Sequence, residues 1–202
     1  MNSTTFYIVR HGESEWNVKR LVQGQRKDMN GLTEKGRMQA EEIAAGLKHV
    51  KAQHIISSDL KRAVETAEII ARTFKIPVMY SEQLREQSHG EYEGTSAEAY
   101  LSRFTKWNTL TDEEKHHYKV AREGESNYEA RERFKSSLLE LAQQYPGDTI
   151  IIVTHNGVMR YTYMELAQKS YEGWGFKNTG YMTITSNGEK LELVQAVNLK
   201  EI

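Results

Sequence analysis

Short apolar runs alternate with longer segments of helical periodicity along most of the 202-residue chain. Four runs of apolar and β-branched residues are predicted as strands, and they span residues 5–9, 54–57, 78–80 and 149–153. Four segments repeat apolar residues on one helical face, and they span residues 33–48, about 59–76, 127–144 and 157–168. Because strands alternate with helices, the pattern predicts an α/β fold with a largely parallel sheet.

Local signals mark the ends of several elements. Thr33 is a predicted N-cap for the first long helix. Ser126 and Glu129 match the capping-box pattern S-x-x-E, which opens a helix. Residues 180–197 form two β-prone runs on either side of Asn187-Gly188, a dipeptide typical of hairpin turns. The sequence therefore predicts a hairpin that adds antiparallel edge strands to the sheet.

The segment at about 87–123 departs from this regular alternation. It is polar, aromatic and dense in charge, with helical pieces predicted near 96–108 and 111–118. No repeat, linker or low-complexity tract separates it from the rest. We therefore expect residues 1–202 to form a single domain.

Charge and cysteine content exclude several classes of function. The net charge is −1, which argues against a dedicated nucleic-acid binder because such proteins need a basic surface. The chain has no Cys, so a thiolate nucleophile, a disulfide framework and a Cys-ligated metal are excluded. The first residues lack a signal-peptide pattern, and no apolar window is long enough to span a membrane. We expect a soluble, cytoplasmic protein without membrane or nucleic-acid partners.

Charged and nucleophilic side chains follow the predicted strands at their carboxyl ends. This is the edge at which open α/β sheets bind ligands. Surface charges fall mostly on exposed helix faces, so their convergence here predicts a functional site. The groups are Arg10-His11-Gly12, Ser58-Asp59 with Arg62, Arg85-Glu86 and His155-Asn156-Gly157.

These residue types suit phosphoryl transfer. Arg10 and Arg62 offer planar donors for a phosphate dianion. A neutral His11 can attack phosphorus, and the nearby Arg charges should lower the pKa of its imidazole. Gly12 is expected to let the backbone pass close to a bound oxyanion.

A carboxyl group is needed to protonate the leaving oxygen and then to activate water. Glu86 is a candidate because it comes after the short strand at 78–80, and Glu82, Glu91 and Glu93 are further carboxyl groups nearby. The adjacent His116 and His117 do not indicate a metal site, because neighbouring side chains on a helix do not face each other.

Short motifs occur in a consistent order from residue 7 to about residue 160. They are Y-I-V-R-H-G-E-S-E-W-N at 7–17, Q-G at 23–24, L-T-E-K-G at 32–36, S-S-D-L-K-R-A at 57–63, L-R-E at 84–86, G-E-Y-E-G at 90–94, G-E-S at 124–126 and V-T-H-N-G at 153–157. The R-H-G core alone is a weak signal, but the whole set is specific. It resembles the histidine phosphatase superfamily, which includes phosphoglycerate mutase.

The resemblance implies a three-layer α/β/α sandwich of the phosphoglycerate mutase type, with residues 87–123 as a variable helical cap. It implies that His11 is the phosphorylated nucleophile and that Glu86 acts as general acid and then base. It further implies that phosphoryl oxygens bind to Arg10, Arg62 and His155. The implied substrate-binding residues are Ser14, Asn17, Gln23, Gly24 and Asn156. No metal or organic cofactor is implied.

Two positions depart from the family pattern. Ser14 stands where Thr is more frequent, a change that keeps the hydroxyl. Asn156 stands where Gly is frequent, and we expect it to tolerate a left-handed backbone there. Neither change removes a catalytic group.

The sequence therefore predicts a phosphatase that hydrolyses a small phosphorylated metabolite through a phosphohistidine. One alternative is a cofactor-dependent phosphoglycerate mutase, disfavoured because the 86–124 segment is short and lacks an adjacent basic pair. An α-ribazole phosphatase-like activity is a second. An inactive binding module is disfavoured because every catalytic group is present. The chain is expected to be a monomer or a homodimer.

Overall fold

The computed structural model describes residues 2–27, 30–102, 104–169 and 174–201. The strands are β1 (Thr4–Arg10), β2 (His54–Ser58), β3 (Val78–Ser81), β4 (Thr149–Thr154), β5 (Trp174–Ser186) and β6 (Leu191–Glu201). The helices are α1 (Glu15–Val18), α2 (Glu34–Gly46), α3 (Lys61–Phe74), α4 (Ala97–Leu101), α5 (Asp112–His117), α6 (Asn127–Gln144) and α7 (Asn156–Leu166). Short 3₁₀ helices lie at Glu82–Leu84, Gly90–Tyr92 and Phe104–Thr109.

The six strands of the described chain form one sheet in the order β3-β2-β4-β1-β5-β6. Strands β1 to β4 run parallel, whereas β5 pairs antiparallel with β1 and β6 pairs antiparallel with β5. This confirms the predicted parallel sheet and its antiparallel edge. In the register of β1 and β4, Arg10 is level with Thr154. The residues that follow these two strands therefore emerge side by side.

Helices cover both faces of the sheet, which confirms the three-layer architecture. Phe6 and Ile8 of β1 are fully buried against α6 and α7, where they meet Phe134 and Met159. Val9 points to the opposite face and packs with residues of α2 and α3. This alternation follows from the twofold period of a strand. Burying each such apolar side chain contributes about 1.5–3 kcal/mol to folding.

The predicted helix starts are confirmed at both positions. The Thr33 hydroxyl accepts the Gly36 N–H at 3.0 Å and caps α2. Ser126 accepts the Glu129 N–H at 3.2 Å, and the Glu129 carboxylate accepts the Ser126 N–H at 2.9 Å. This capping box starts α6 at the residue that the pattern indicates.

The C-terminal hairpin is confirmed, but its predicted bounds were too short. Strand β5 begins at Trp174 because residues 174–176 pair with 199–201 beyond an irregularity in the ladder. Four residues connect the two strands rather than the Asn-Gly pair alone. The Asn187 side-chain oxygen accepts the N–H groups of Glu189 and Lys190, each at 3.0 Å.

The 87–123 segment is less helical than expected. The piece predicted at 96–108 is the short helix α4 followed by a 3₁₀ turn, and the piece at 111–118 is α5. Backbone hydrogen bonds attach this segment to the loop after α1, with Val22 donating to Thr95 at 2.9 Å and Gly94 donating to Val22 at 2.8 Å. Across the described ranges, every helix is too short or too polar to cross a bilayer.

Candidate active site

The carboxyl edge of the sheet brings the five predicted catalytic side chains to one region. Arg10 ends β1 and His11 follows it, while Arg62 lies in the first turn of α3 and His155 caps α7. The Nε of Arg62 lies 3.3 Å from Nε2 of His11. The rings of His11 and His155 have centroids 5.2 Å apart. Glu86 follows β3 and reaches the start of α7.

The hydrogen bonds of His11 determine which ring nitrogen carries the proton. Nδ1 lies 2.7 Å from the Gly12 carbonyl oxygen, which can only accept, so Nδ1 is protonated. Nε2 faces the Arg62 guanidinium, which can only donate, so Nε2 carries the free electron pair. Burial lowers the pKa of His11 well below its ordinary value, and the charges of Arg62 and Arg10 lower it further. The imidazole is therefore neutral and nucleophilic near pH 7.

Two arginines give the pocket its positive charge. Arg62 is only 1% exposed and donates to the Gly24 carbonyl at 2.9 Å. Arg10 donates to the Phe176 carbonyl, while its buried Nε has no partner. Burial lowers the pKa of both guanidinium groups to about 10, so both remain charged at neutral pH.

His155 is fully buried beside these charges. Its Nε2 lies 2.8 Å from the Ser58 hydroxyl, and its buried Nδ1 has no hydrogen-bond partner. Burial lowers the pKa of His155 well below its ordinary value, and the positive charge of Arg62 adds to the effect. Unpaired nitrogens on His155 and Arg10 are typical of a site prepared for an anion that supplies the missing acceptors.

Glu86 is held in place by the N-terminus of α7. Its carboxylate accepts the Gly157 N–H at 2.9 Å and the Val158 N–H at 3.3 Å. A Cβ atom on Gly157 would lie 2.4 Å from Oε1 of Glu86, so only glycine leaves room for the carboxylate. Glu82 instead pairs with Arg85, and Glu93 accepts backbone N–H groups from Gln25 and His89. Of these carboxylates, Glu86 is the one in the wall of the His11 pocket.

The predicted substrate-binding residues fall into two sets. Gln23, Gly24 and Asn156 line the pocket, whose volume is about 240 Å³. Ser14 and Asn17 lie beside it and form the capping box of α1, with the Asn17 side-chain oxygen accepting the Ser14 N–H at 3.0 Å. The expectation that they line the phosphate pocket therefore does not match their position.

Two further expectations are corrected. Asn156 needs no left-handed backbone, because it is the first residue of α7 and has a right-handed helical conformation. Its side-chain oxygen accepts the Phe176 N–H at 2.8 Å and ties α7 to β5. Gly12 does not face an oxyanion, since its N–H donates to the Thr66 hydroxyl at 3.1 Å. A Cβ on Gly12 would lie 2.4 Å from the Gly36 carbonyl oxygen, so close packing on α2 explains this glycine.

Four residues near the site are not among the site residues predicted from the sequence. His89 and Tyr100 line the pocket and are joined by a 2.8 Å hydrogen bond. Asn178 lies in the irregular part of β5 and donates to the His11 carbonyl at 3.1 Å. Arg133 of α6 donates to the Glu86 carbonyl at 3.1 Å and to both oxygens of Glu125. None of the four follows a predicted strand, and no periodic pattern distinguishes them from surface residues.

Within the described ranges, no three His, Asp or Glu side chains converge as metal ligands would. The groups at the pocket are instead suited to an anion. The half-buried Arg10, the buried Arg62, a neutral imidazole with an unprotonated Nε2 and a fixed carboxyl group together suit the transfer of a phosphoryl group to nitrogen.

Comparisons with known proteins agree with this chemistry. The profile of the histidine phosphatase superfamily (branch 1) matches residues 6–199. Phosphoglycerate mutase-like protein 4 of Arabidopsis thaliana is 37% identical over 166 residues, which are 77% of this chain and 68% of that protein. Metal-independent phosphoserine phosphatase of the same plant is 34% identical over 180 residues, which are 84% and 71% of the two chains.

A solved structure supports the fold. Phosphoglycerate mutase from Bacillus anthracis str. Sterne has a TM-score of 0.83 at 22% identity, covering 98% of this chain and 93% of that chain. The sandwich of the phosphoglycerate mutase type is thereby confirmed. With the match of the superfamily profile to residues 6–199, it follows that the chain belongs to the histidine phosphatase superfamily, branch 1.

Proposed function

We propose that the protein is a phosphomonoester hydrolase that acts through a phosphohistidine on His11. The observation that carries the proposal is the unprotonated Nε2 of His11, whose electron pair accepts a 3.3 Å hydrogen bond from the buried Arg62 guanidinium. In the first step Nε2 attacks phosphorus, and the N–P bond forms as the P–O bond to the alcohol breaks. The Arg10, Arg62 and His155 side chains bind the phosphoryl oxygens and stabilise the charge that develops on them.

Glu86 supplies and removes the protons of the reaction. In the first step its carboxyl group gives a proton to the leaving alcohol oxygen. In the second step its carboxylate takes a proton from water as the water oxygen attacks phosphorus, and the N–P bond breaks to restore the imidazole. The two N–H bonds from α7 support this role because they hold the carboxylate in one orientation.

The remaining residues position the phosphate and the nucleophile. Gln23, Gly24 and Asn156 form the wall around the phosphoryl group. Asn17 accepts a hydrogen bond from Asn178 at 3.3 Å, and Asn178 also donates to the carbonyl of His11. We assign Ser14 and Asn17 to holding the nucleophile loop through this chain of contacts. Residues 87–123 serve as a cap over the pocket within a single domain.

Small phosphorylated metabolites are the proposed substrates, and the site of action is the cytoplasm. Phosphoserine is the first compound to test, because a relative 34% identical to this chain is named a metal-independent phosphoserine phosphatase. A phosphoglycerate mutase is the second candidate, since another relative is named mutase-like. α-Ribazole phosphate is a third compound to include. No metal takes part in the proposed mechanism.

Single-turnover labelling with a monoester that carries a labelled phosphate tests the mechanism. We expect an acid-labile, base-stable label that is absent from His11→Ala and present in His49→Ala, an exposed histidine outside the pocket. Activity should be unchanged by EDTA. A label that persists in His11→Ala, or activity lost with EDTA, contradicts the mechanism. A coupled assay with 3-phosphoglycerate then separates net hydrolysis from mutase activity.

A further inference from the structure

A second, larger cavity adjoins the phosphate pocket. Its volume is about 460 Å³, and it shares the side chains of His89 and Tyr100 with the phosphate pocket. Three more aromatic side chains line it, from Trp107, Tyr118 and Tyr161. A phosphate with a two- or three-carbon alcohol needs only the smaller pocket, so this cavity provides room for a larger alcohol part. Aromatic walls favour a planar ring as the occupant.

Arg160 brings a positive charge to this cavity. It lies half-buried on α7, with its guanidinium 5.0 Å from the centre of the Tyr161 ring. Its Nε is buried and without a hydrogen-bond partner. Among the described residues, only two other buried side-chain atoms lack a partner, and both belong to the phosphate site: Arg10 Nε and His155 Nδ1. Arg160 thus shares a buried, unpaired nitrogen with Arg10 and His155, two of the three residues assigned to the phosphoryl oxygens.

The other titratable groups in the cavity leave this charge uncompensated. Glu125 also lines the cavity, but Arg133 donates to both of its carboxylate oxygens, at 2.8 and 2.9 Å. Burial lowers the pKa of His89, so its ring is neutral near pH 7. Burial raises the pKa of Tyr161 to about 12, so its hydroxyl is neutral as well.

Helix α7 carries both the N–H groups that bind the catalytic carboxylate and the Arg160 side chain. Gly157 binds the Glu86 carboxylate, and Arg160 follows three residues later on the same helical face. The axial rise between these two residues is about 4.5 Å. The backbone position that binds the Glu86 carboxylate and the one that carries Arg160 are therefore about one helical turn apart. A substrate with a ring and a short side chain can reach both the catalytic carboxyl group and the Arg160 side chain.

We propose that this cavity binds the alcohol part of the substrate and that Arg160 binds a carboxylate on it. The substrate class is then a phosphomonoester of a ring-bearing hydroxy acid. This inference rests on the proposed phosphatase function and narrows its substrate.

Two synthetic phosphate esters test whether the cavity prefers a carboxylate over a neutral amide. Their phenol leaving groups are nearly the same, so the charge is the main difference between them. They are 3-(4-phosphooxyphenyl)propanoate and its primary amide, in which two methylene groups insulate the phenol from the change. The wild-type kcat/KM should be at least about tenfold higher for the propanoate, mainly through KM, since charge-assisted hydrogen bonds are the stronger class. Arg160→Gln should bring the ratio below about threefold and leave the value for the amide nearly unchanged. Arg122→Gln, which removes an exposed charge nearby, should keep the wild-type ratio.

Equal rates for both esters in the wild type, or a preference that survives Arg160→Gln, would overturn the proposal. A parallel loss for both esters would also overturn it, because it indicates a structural role. Arg160→Lys provides a second variant that keeps the charge, and it should retain part of the preference. Binding of the matching methylene phosphonates gives the same comparison as Kd without turnover. Failure of the phosphatase mechanism is recognised separately, by hydrolysis that persists in His11→Ala.

Discussion

At the scale of residues, the pocket consists of side chains whose hydrogen-bonding capacity is partly unused. Arg10 and His155 each keep a buried nitrogen without a partner, and Nε2 of His11 receives only a 3.3 Å contact. Such groups are costly to bury unless a ligand completes them. The sequence predicted these three residues because each directly adjoins a strand. It did not predict His89 or Asn178, since neither residue directly follows a predicted strand.

Replacement of Glu86 by Gln tests the assignment of the general acid. An amide cannot give a proton to the leaving oxygen, so alkyl phosphates should lose about 10²–10⁴-fold in kcat/KM. Aryl phosphates with good leaving groups should lose far less in kcat/KM. The measurement is kcat/KM for a series of esters that differ in the pKa of the alcohol, because kcat/KM reports the first step and not the attack of water that Glu86 also assists. Glu82→Gln, at an exposed carboxylate, is the control, and an equal loss for all esters would reassign the acid.

At the scale of elements, helix α7 connects the catalytic residues Glu86 and His155 to the sheet. Its N-terminus holds Glu86, its N-cap is His155, and its first residue binds the start of β5. Periodicity predicted this helix within two residues at each end, because its buried face follows the helical repeat. The cap segment was predicted less well, since α4 and α5 are too short to show a full amphipathic repeat.

Gly157→Ala should lower the activity without lowering the stability of the fold. Alanine favours a helical backbone over glycine by up to about 1 kcal/mol, so the free energy of unfolding should stay constant or rise slightly. The new Cβ would lie 2.4 Å from Oε1 of Glu86, so the carboxylate must move and kcat should fall at least about tenfold. Urea unfolding and steady-state kinetics measure the two effects. Gly46→Ala, a helical position with open space, should leave kcat unchanged, and full activity in Gly157→Ala would contradict the account.

At the scale of the whole molecule, aligned strands collect residues separated by more than 140 positions into one pocket. His11 and His155 meet because β1 and β4 are adjacent, parallel and in register. A sequence pattern predicts the strands but does not fix their order in the sheet. The strand order β3-β2-β4-β1 is seen only in the three-dimensional structure.

Buried neutral histidines should make folding stability depend on pH. The pKa values of His11 and His155 are well below 6.5 in the folded chain, because burial and nearby Arg charges disfavour the protonated form. The unfolded chain takes up protons below about pH 6.5, whereas the folded chain does not. The free energy of unfolding should therefore decrease as the pH is lowered below about 6.5. Each histidine contributes about 1.4 kcal/mol per pH unit until its native pKa is reached.

Urea unfolding at pH 7 and pH 5 measures this dependence. In His155→Gln the decrease between the two pH values should be smaller than in the wild type by about 2 kcal/mol. His49→Ala changes an exposed histidine and should show the wild-type decrease. If the free energy of unfolding decreases as much in His155→Gln as in the wild type, then His155 is protonated in the folded protein and this account is wrong.

The two adjoining cavities serve two different properties, the phosphoryl-transfer reaction and the choice of alcohol. Evolution can select these two properties independently. The phosphoryl-transfer groups stand at the ends of strands, where a replacement disturbs the chemistry. Most of the lining of the larger cavity comes from residues 87–127, and the described part of this range contributes no strand to the sheet. Mutations there can exchange one alcohol for another while the reaction continues. The fold thus allows the substrate specificity to change through mutations that leave the phosphoryl-transfer reaction intact.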